Sequence, residues 1–142
     1  MGMEVRKERT GWRDSALSER HRSWGWNCPA LDLDFVMLEY DNGRPTAIVE
    51  YKNEHAQPQY PSHASYRALV DMGNKAGIPV FGCRYADDFS WFRVAPLNKE
   101  AGKYVQGRTK MDEAKWVETL YKTRGRELPQ DIRDQIGKDT SW

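Results

Sequence analysis

Two β-forming runs separated by a turn signal constrain this chain more than any other feature. Leu33–Tyr40 reads LDFVMLEY and Thr46–Lys52 reads TAIVEYK, with Asp41-Asn42-Gly43 between them. β-Branched and aromatic residues favour extended backbone, and Asn-Gly tolerates the left-handed conformation that closes a hairpin. A lone hairpin is marginal in water, so the remaining chain must supply helices or strands to cover it. Ala47-Ile48-Val49 is apolar on both alternating faces, which places the second strand inside a sheet.

The flanking segments meet that need. Asp14 or Ser15 caps a helix to about Trp24, which Gly25 stops. Trp26 to Ala30 is a short extended piece broken by Pro29, and Asn53 to Pro61 is a loop. Ser62 to Ala76 has Tyr66, Leu69, Val70, Gly73 and Ala76 on one helical face, followed by Gly77 as its left-handed C-terminal residue. Ile78–Tyr85 and Ser90–Ala95 are short strands, and Lys99–Lys110 is a polar loop. Met111–Thr123 is an amphipathic helix with Ala114, Val117, Leu120 and Tyr121 inward, closed by Gly125. Pro129 opens a last short helix to Ile136. The order α–β–β–α–β–β–α–α gives an α/β (α+β) domain with a mixed sheet, because the middle helix is long enough for a parallel crossover. One domain spans 1–142, with an arm at 1–13, an α/β core at 14–98 and a loop and helical extension at 99–142.

Composition excludes several classes. Mean hydropathy is −0.87, 30% of residues are charged, and no apolar run approaches the roughly 18 residues of a membrane helix. Met1–Thr10 is charged and lacks the apolar stretch of a secretory signal. Cys28 and Cys83 form no disulfide framework and no CxxC pair, which fits buried thiols and a cytoplasmic location. His21, His55 and His63 have no spacing that matches a compact zinc site. Net charge is only +1, so bulk basicity does not mark a nucleic-acid binder. Local excess does exist, including Arg20 and Arg22, and Trp24 and Trp26 beside them could stack on bases.

The chemistry concentrates in residues 31–54. Asp32 and Asp34 share parity on the first strand, and Glu50 and Lys52 share parity on the second. If Asp41-Asn42-Gly43 is a three-residue loop, Tyr40 faces Arg44, Asp34 faces Glu50 and Asp32 faces Lys52. A two- or four-residue loop shifts the pairing and sends the acids to opposite faces. Directly opposite Cβ atoms lie about 5 Å apart, close enough for two carboxylates to share a divalent ion. Two such carboxylates repel unless a cation lies between them, and Mg²⁺ or Mn²⁺ suits oxygen donors. Lys52 can then orient a metal-bound water and stabilise charge on a phosphate. The plain alternative is the charged solvent face of an ordinary hairpin.

An Asp on one strand, a hairpin, then apolar residues leading into Glu50-Tyr51-Lys52 resembles the PD-(D/E)xK nuclease superfamily, which includes Holliday-junction resolvases and small phage nucleases. The resemblance covers roughly residues 14–85. It implies a restriction-endonuclease-like mixed sheet flanked by helices, and a Mg²⁺- or Mn²⁺-dependent nuclease that hydrolyses DNA, whether duplex or a particular DNA structure. Asp34, Glu50 and Lys52 would be catalytic, and Asp34, Glu50 and the Tyr51 carbonyl would hold the metal. Glu19 from the first helix, Asp32, and Gln59 or Tyr66 beyond the Glu-x-Lys would be accessory. Apart from the resemblance, local charge and the aromatic beside it make Arg20, Arg22 and Trp24 the candidate nucleic-acid contacts. The family usually has one more strand before the Asp strand, for which only Trp26–Ala30 is available here. A homodimer would double the basic surface. The alternatives are a non-catalytic nuclease-like module that binds DNA or a protein partner, and an unrelated α+β interaction protein.

Overall fold

In the computed structural model, β1 (Phe35–Glu39) and β2 (Arg44–Asn53) form the expected antiparallel hairpin, but its turn differs. Glu39, not Tyr40, faces Arg44, so the connection Tyr40–Gly43 has four residues rather than three. That loop alone would have put Asp34 and Glu50 on opposite faces. However, Leu38 faces Pro45 while Met37 faces Ala47, which leaves Thr46 as an extra residue in β2. This β-bulge cancels the one-residue shift. Continuing the Phe35–Val49 pairing then puts Asp34 opposite Glu50, as the sequence predicts. Gly43 is left-handed (φ 65°), and the Arg44 N–H donates to Asn42 Oδ1 at 3.0 Å. Pro45, which lacks an N–H, is tolerated because β2 gains its second neighbour only from Ile48 onward.

The structure describes residues 15–25, 33–57 and 63–136. The chain divides into two compact units, Met1–Asp32 and Leu33–Trp142. In the first, α1 (Ser15–Ser23) ends before Gly25 (φ 84°), as expected. The piece Trp26–Ala30, the arm 1–13 and Cys28 lie outside the described residues.

In the second unit, α2 (Ala64–Ala76) carries the chain across to β3 (Val80–Tyr85), which runs parallel to β2. His63 caps α2 by accepting the Ser65 N–H at 3.2 Å. Gly77 (φ 71°) ends it, donating its N–H to the Asn74 carbonyl. β4 (Phe92–Pro96) returns antiparallel. The segment expected to be a loop, Lys99–Lys110, instead holds α3 (Lys99–Gly102) and the start of β5 (Thr109–Met111), which pairs with β4. Asn98 nucleates α3 by accepting the Ala101 N–H at 2.9 Å, and its other bonds reach the Val80 N–H and the Ile78 carbonyl. Elements of three or four residues carry too little periodicity to be read from sequence. α4 (Glu113–Thr123) and α5 (Gln130–Gln135) follow. The Asp112 carboxylate caps α4 by accepting the Lys115 N–H at 2.8 Å. The result is a mixed α+β fold with a five-stranded sheet ordered β1-β2-β3-β4-β5.

Two cores lie on opposite sheet faces. On one, Ile48 and Val80 pack with Tyr66 and Leu69 of α2. On the other, Val49, Phe81 and Val94 pack with Trp116 of α4, whose ring meets Phe81 edge-on at 5.4 Å. The inward stripe of α4 is therefore centred on Trp116 and Thr119, both buried; the expected Ala114 and Val117 are only partly covered. The 3.6-residue period admits either phase, and the larger side chain fills the space over Phe81. The far end of α4 is tied to β1 where Arg124 and Arg126 both donate to the buried Glu39 carboxylate.

Candidate functional site

Because side chains alternate along a strand, Glu50 and Lys52 emerge on the α2 face while Val49 and Tyr51 point to Trp116. Tyr51 is anchored there, its hydroxyl accepting the Trp116 Nε1–H at 3.0 Å and its ring meeting Phe35 edge-on. Burial pushes the Tyr51 phenol up to about 12, so it stays neutral. This anchor holds the strand that presents Glu50 and Lys52.

Asp34 arrives from just before β1. One carboxylate oxygen, Oδ2, accepts the Tyr51 N–H at 2.9 Å. In an extended strand the N–H and C=O of one residue face the same neighbour, so the Tyr51 carbonyl is turned to this edge too. The Asp34 and Glu50 carboxyls come within hydrogen-bonding reach of each other, and Lys52 Nζ lies 3.8 Å from Glu50 Oε1. Glu50 is 13% exposed and Lys52 29%. The Glu50 carboxyl is held above the usual carboxylate range, first by burial and then by the negative charge of Asp34; Lys52 opposes both. The sequence-predicted trio is thus assembled on one face.

These residues fit a hard divalent cation. Two mutually repelling carboxyls, with the Glu50 pKa raised by burial and by Asp34, and a backbone carbonyl on the same edge form an oxygen donor set whose conflict a cation removes.

Tyr66, buried on α2, also belongs to this region: burial and the charge of Glu50 raise its phenol. Asp32 and Gln59 lie outside the described residues, as does the Arg22 side chain. Glu19, Arg20 and Trp24 belong to the Met1–Asp32 unit, where each is exposed and the Trp24 ring lies 4.4 Å from that of His21.

Lys52 and Tyr66 line a cleft of about 690 Å³ together with Arg84, Arg93 and Arg108. Sequence reasoning missed these arginines, although Arg84 and Arg93 each interrupt an apolar strand, VFGCRY and FRVAP. The Arg84 Nη1 donates to the Asn53, Glu54 and Ala56 carbonyls, fixing the loop that follows β2.

A second group, Glu54, His55 and Asp87, has potential ligand atoms within 4.8 Å of one another. Its members already bond internally. Asp87 accepts from Asn53 Nδ2 at 2.6 Å and lies 3.0 Å from His55 Nε2, and Glu54 accepts the Asp87 N–H. These bonds clip the loop after β2 to the β3–β4 turn. The Cys83 thiol is buried, and burial pushes it up to about 12, which disfavours the thiolate. Among the described residues no helix is long and apolar enough to cross a membrane. No protein-family model, curated protein or solved structure matches this chain.

Proposed function

We propose that this chain is a metal-dependent nuclease of the PD-(D/E)xK kind, hydrolysing phosphodiester bonds in DNA through Asp34, Glu50 and Lys52. The observation that carries the reading is the convergence of two carboxyls and a lysine, from β2 and the residue preceding β1, beside a cation-lined cleft. The hairpin followed by a helical crossover to a parallel strand agrees with the resemblance seen in the sequence.

Asp34, Glu50 and the Tyr51 carbonyl would hold Mg²⁺ or Mn²⁺, which when bound polarises phosphate oxygens and lowers the pKa of water. The chain's own groups do the rest. The Tyr51 N–H fixes the rotamer of Asp34 by holding one of its oxygens. Lys52 offers a partly buried ammonium that can donate to a phosphate oxygen or orient water, worth more there than in bulk solvent.

The test is cleavage of labelled single-stranded, branched and duplex DNA with Mg²⁺ or Mn²⁺, comparing wild type with Lys52→Ala and Asp34→Asn. Metal-dependent cutting that disappears in both variants is expected. Equal inertness of wild type and variants, with no Mn²⁺ binding by calorimetry, would refute the reading.

A further inference from the structure

The sheet pairing aligns one feature that no single strand displays. Lys52 on β2 faces Arg84 on β3, Arg84 faces Arg93 on β4, and Arg93 faces Lys110 on β5. Directly paired residues emerge on the same sheet face. Four cations therefore stand side by side across four strands, and three strand spacings make the row about 14 Å long. It begins at Lys52, beside the acidic pair, and runs away from it along the cleft.

Like charges directly opposite one another destabilise a sheet, and relief from a carboxylate comes only at the first member, where Glu50 Oε1 lies 3.8 Å from Lys52 Nζ. Among the described residues, no carboxylate pairs with Arg93, Arg108 or Lys110, whereas Arg124, Arg126 and Arg133, like Lys75 and Lys103, each have at least one. The carboxylate in the cleft, Glu54, accepts the Asp87 N–H. What holds the outer end in place is Trp91, with the Arg93 guanidinium 5.2 Å and the Lys110 ammonium 5.3 Å from its ring centre. A cation over an aromatic face is stabilised without being neutralised. The row is thus positioned, partly shielded from its own repulsion and still charged.

We propose that Lys52, Arg84, Arg93 and Lys110, with Arg108 at the cleft wall, form a track for the phosphate backbone of one nucleic-acid strand leading away from the acidic pair. The single file of charges matches one backbone, and a duplex would need a second file. A chain of net charge +1 also lacks the bulk electrostatics for strong duplex binding, which phosphate neutralisation supplies. The track rests on the nuclease reading only for its direction, since it names the strand that would enter that centre.

The experiment is fluorescence anisotropy of the full chain with a labelled oligothymidylate, in EDTA, over a series of salt concentrations. The Arg93→Gln/Lys110→Gln variant should bind about tenfold more weakly, and its salt slope should fall by about 1.4, at about 0.7 per lost phosphate contact. Arg93→Lys, which keeps the charge, should bind like wild type. Should the double variant fail to fold by circular dichroism, Lys110→Gln alone should still reduce the slope by about 0.7. Unchanged affinity and slope in a folded variant would overturn the track. So would tighter binding of a duplex through the same residues, or equal binding of a polyglutamate of matched charge, which would indicate an acidic protein partner. Because binding is read without metal, an intact track in a protein that cuts nothing refutes the nuclease reading alone. Cutting that persists in a double variant with unchanged affinity refutes the track alone.

Discussion

Gly73 sets how closely α2 approaches the sheet, and Gly73→Ala tests that approach. A Cβ built there would lie 2.1 Å from Val80 Cγ2, 3.1 Å from the Ile78 carbonyl oxygen and 3.2 Å from Asn98 Nδ2. Val80 is fully buried, so its methyl cannot swing into solvent. Neither polar neighbour can yield cheaply. Asn98 Nδ2 is bonded to the Ile78 carbonyl at 2.9 Å and to Asn74 Oδ1 at 3.1 Å. To reach ordinary contact at 3.4 Å, the methyl and Val80 must separate by a further 1.3 Å, the difference from 2.1 Å. Overpacking of this kind costs about 1–3 kcal/mol, and Ala gains back about 0.5–1 kcal/mol over Gly within a helix. With contacts on three sides the upper part of the range applies, leaving a net loss of about 2 kcal/mol. For a chain of this length that lowers Tm by roughly 4–8 °C. Differential scanning calorimetry of wild type, Gly73→Ala, Val80→Ala and the double variant gives the answer as a thermodynamic cycle. Val80→Ala should cost less in the Gly73→Ala background, because the new methyl occupies the vacated space. A Tm rise in Gly73→Ala, or additive losses in the double variant, would refute the close-approach reasoning.

Three further outcomes follow from other parts of the molecule. Glu39 is held at about 2 by hydrogen bonds from Arg126 and then Arg124, below its ordinary 4.5. A depressed carboxyl contributes stability above its unfolded pKa and loses it as pH falls through the folded one. The gap in urea midpoint between wild type and Glu39→Gln should therefore be full at neutral pH and close between 4.5 and about 2; a gap constant with pH would exclude the ion-pair cause. Glu50→Gln removes a buried charge facing Asp34, so the metal-free chain should gain thermal stability at neutral pH while the Tm rise produced by Mn²⁺ in wild type disappears. A variant still stabilised by Mn²⁺ would place the ion elsewhere. Tyr51→Phe leaves the buried Trp116 N–H without its acceptor and should cost about 1–3 kcal/mol in denaturant unfolding, with Trp fluorescence shifted.

Local chemistry made much of this protein legible before folding was considered. The Asp-Asn-Gly turn, the parity of Glu50 with Lys52, the Gly77 stop and the helical face of Tyr66, Leu69 and Gly73 all rest on neighbours within a few residues. Such signals are carried by backbone propensity and by the 2- and 3.6-residue periods. The meeting of Asp34 with Glu50 was different. The expected register reached the right pair through the wrong turn, and only the bulge at Thr46 reconciles a four-residue loop with carboxyls on one face. A bulge has no reliable sequence mark, because it is chosen by how both strands pack at once. The phase of α4 was likewise settled by the space over Phe81, which Trp116 fills. The cation row lies furthest from sequence, since Lys52, Arg84, Arg93 and Lys110 become neighbours through three separate strand registers. Sequence by itself determined which residues could bear charge and extend or coil; long-range pairing alone decided which of those charges share a face.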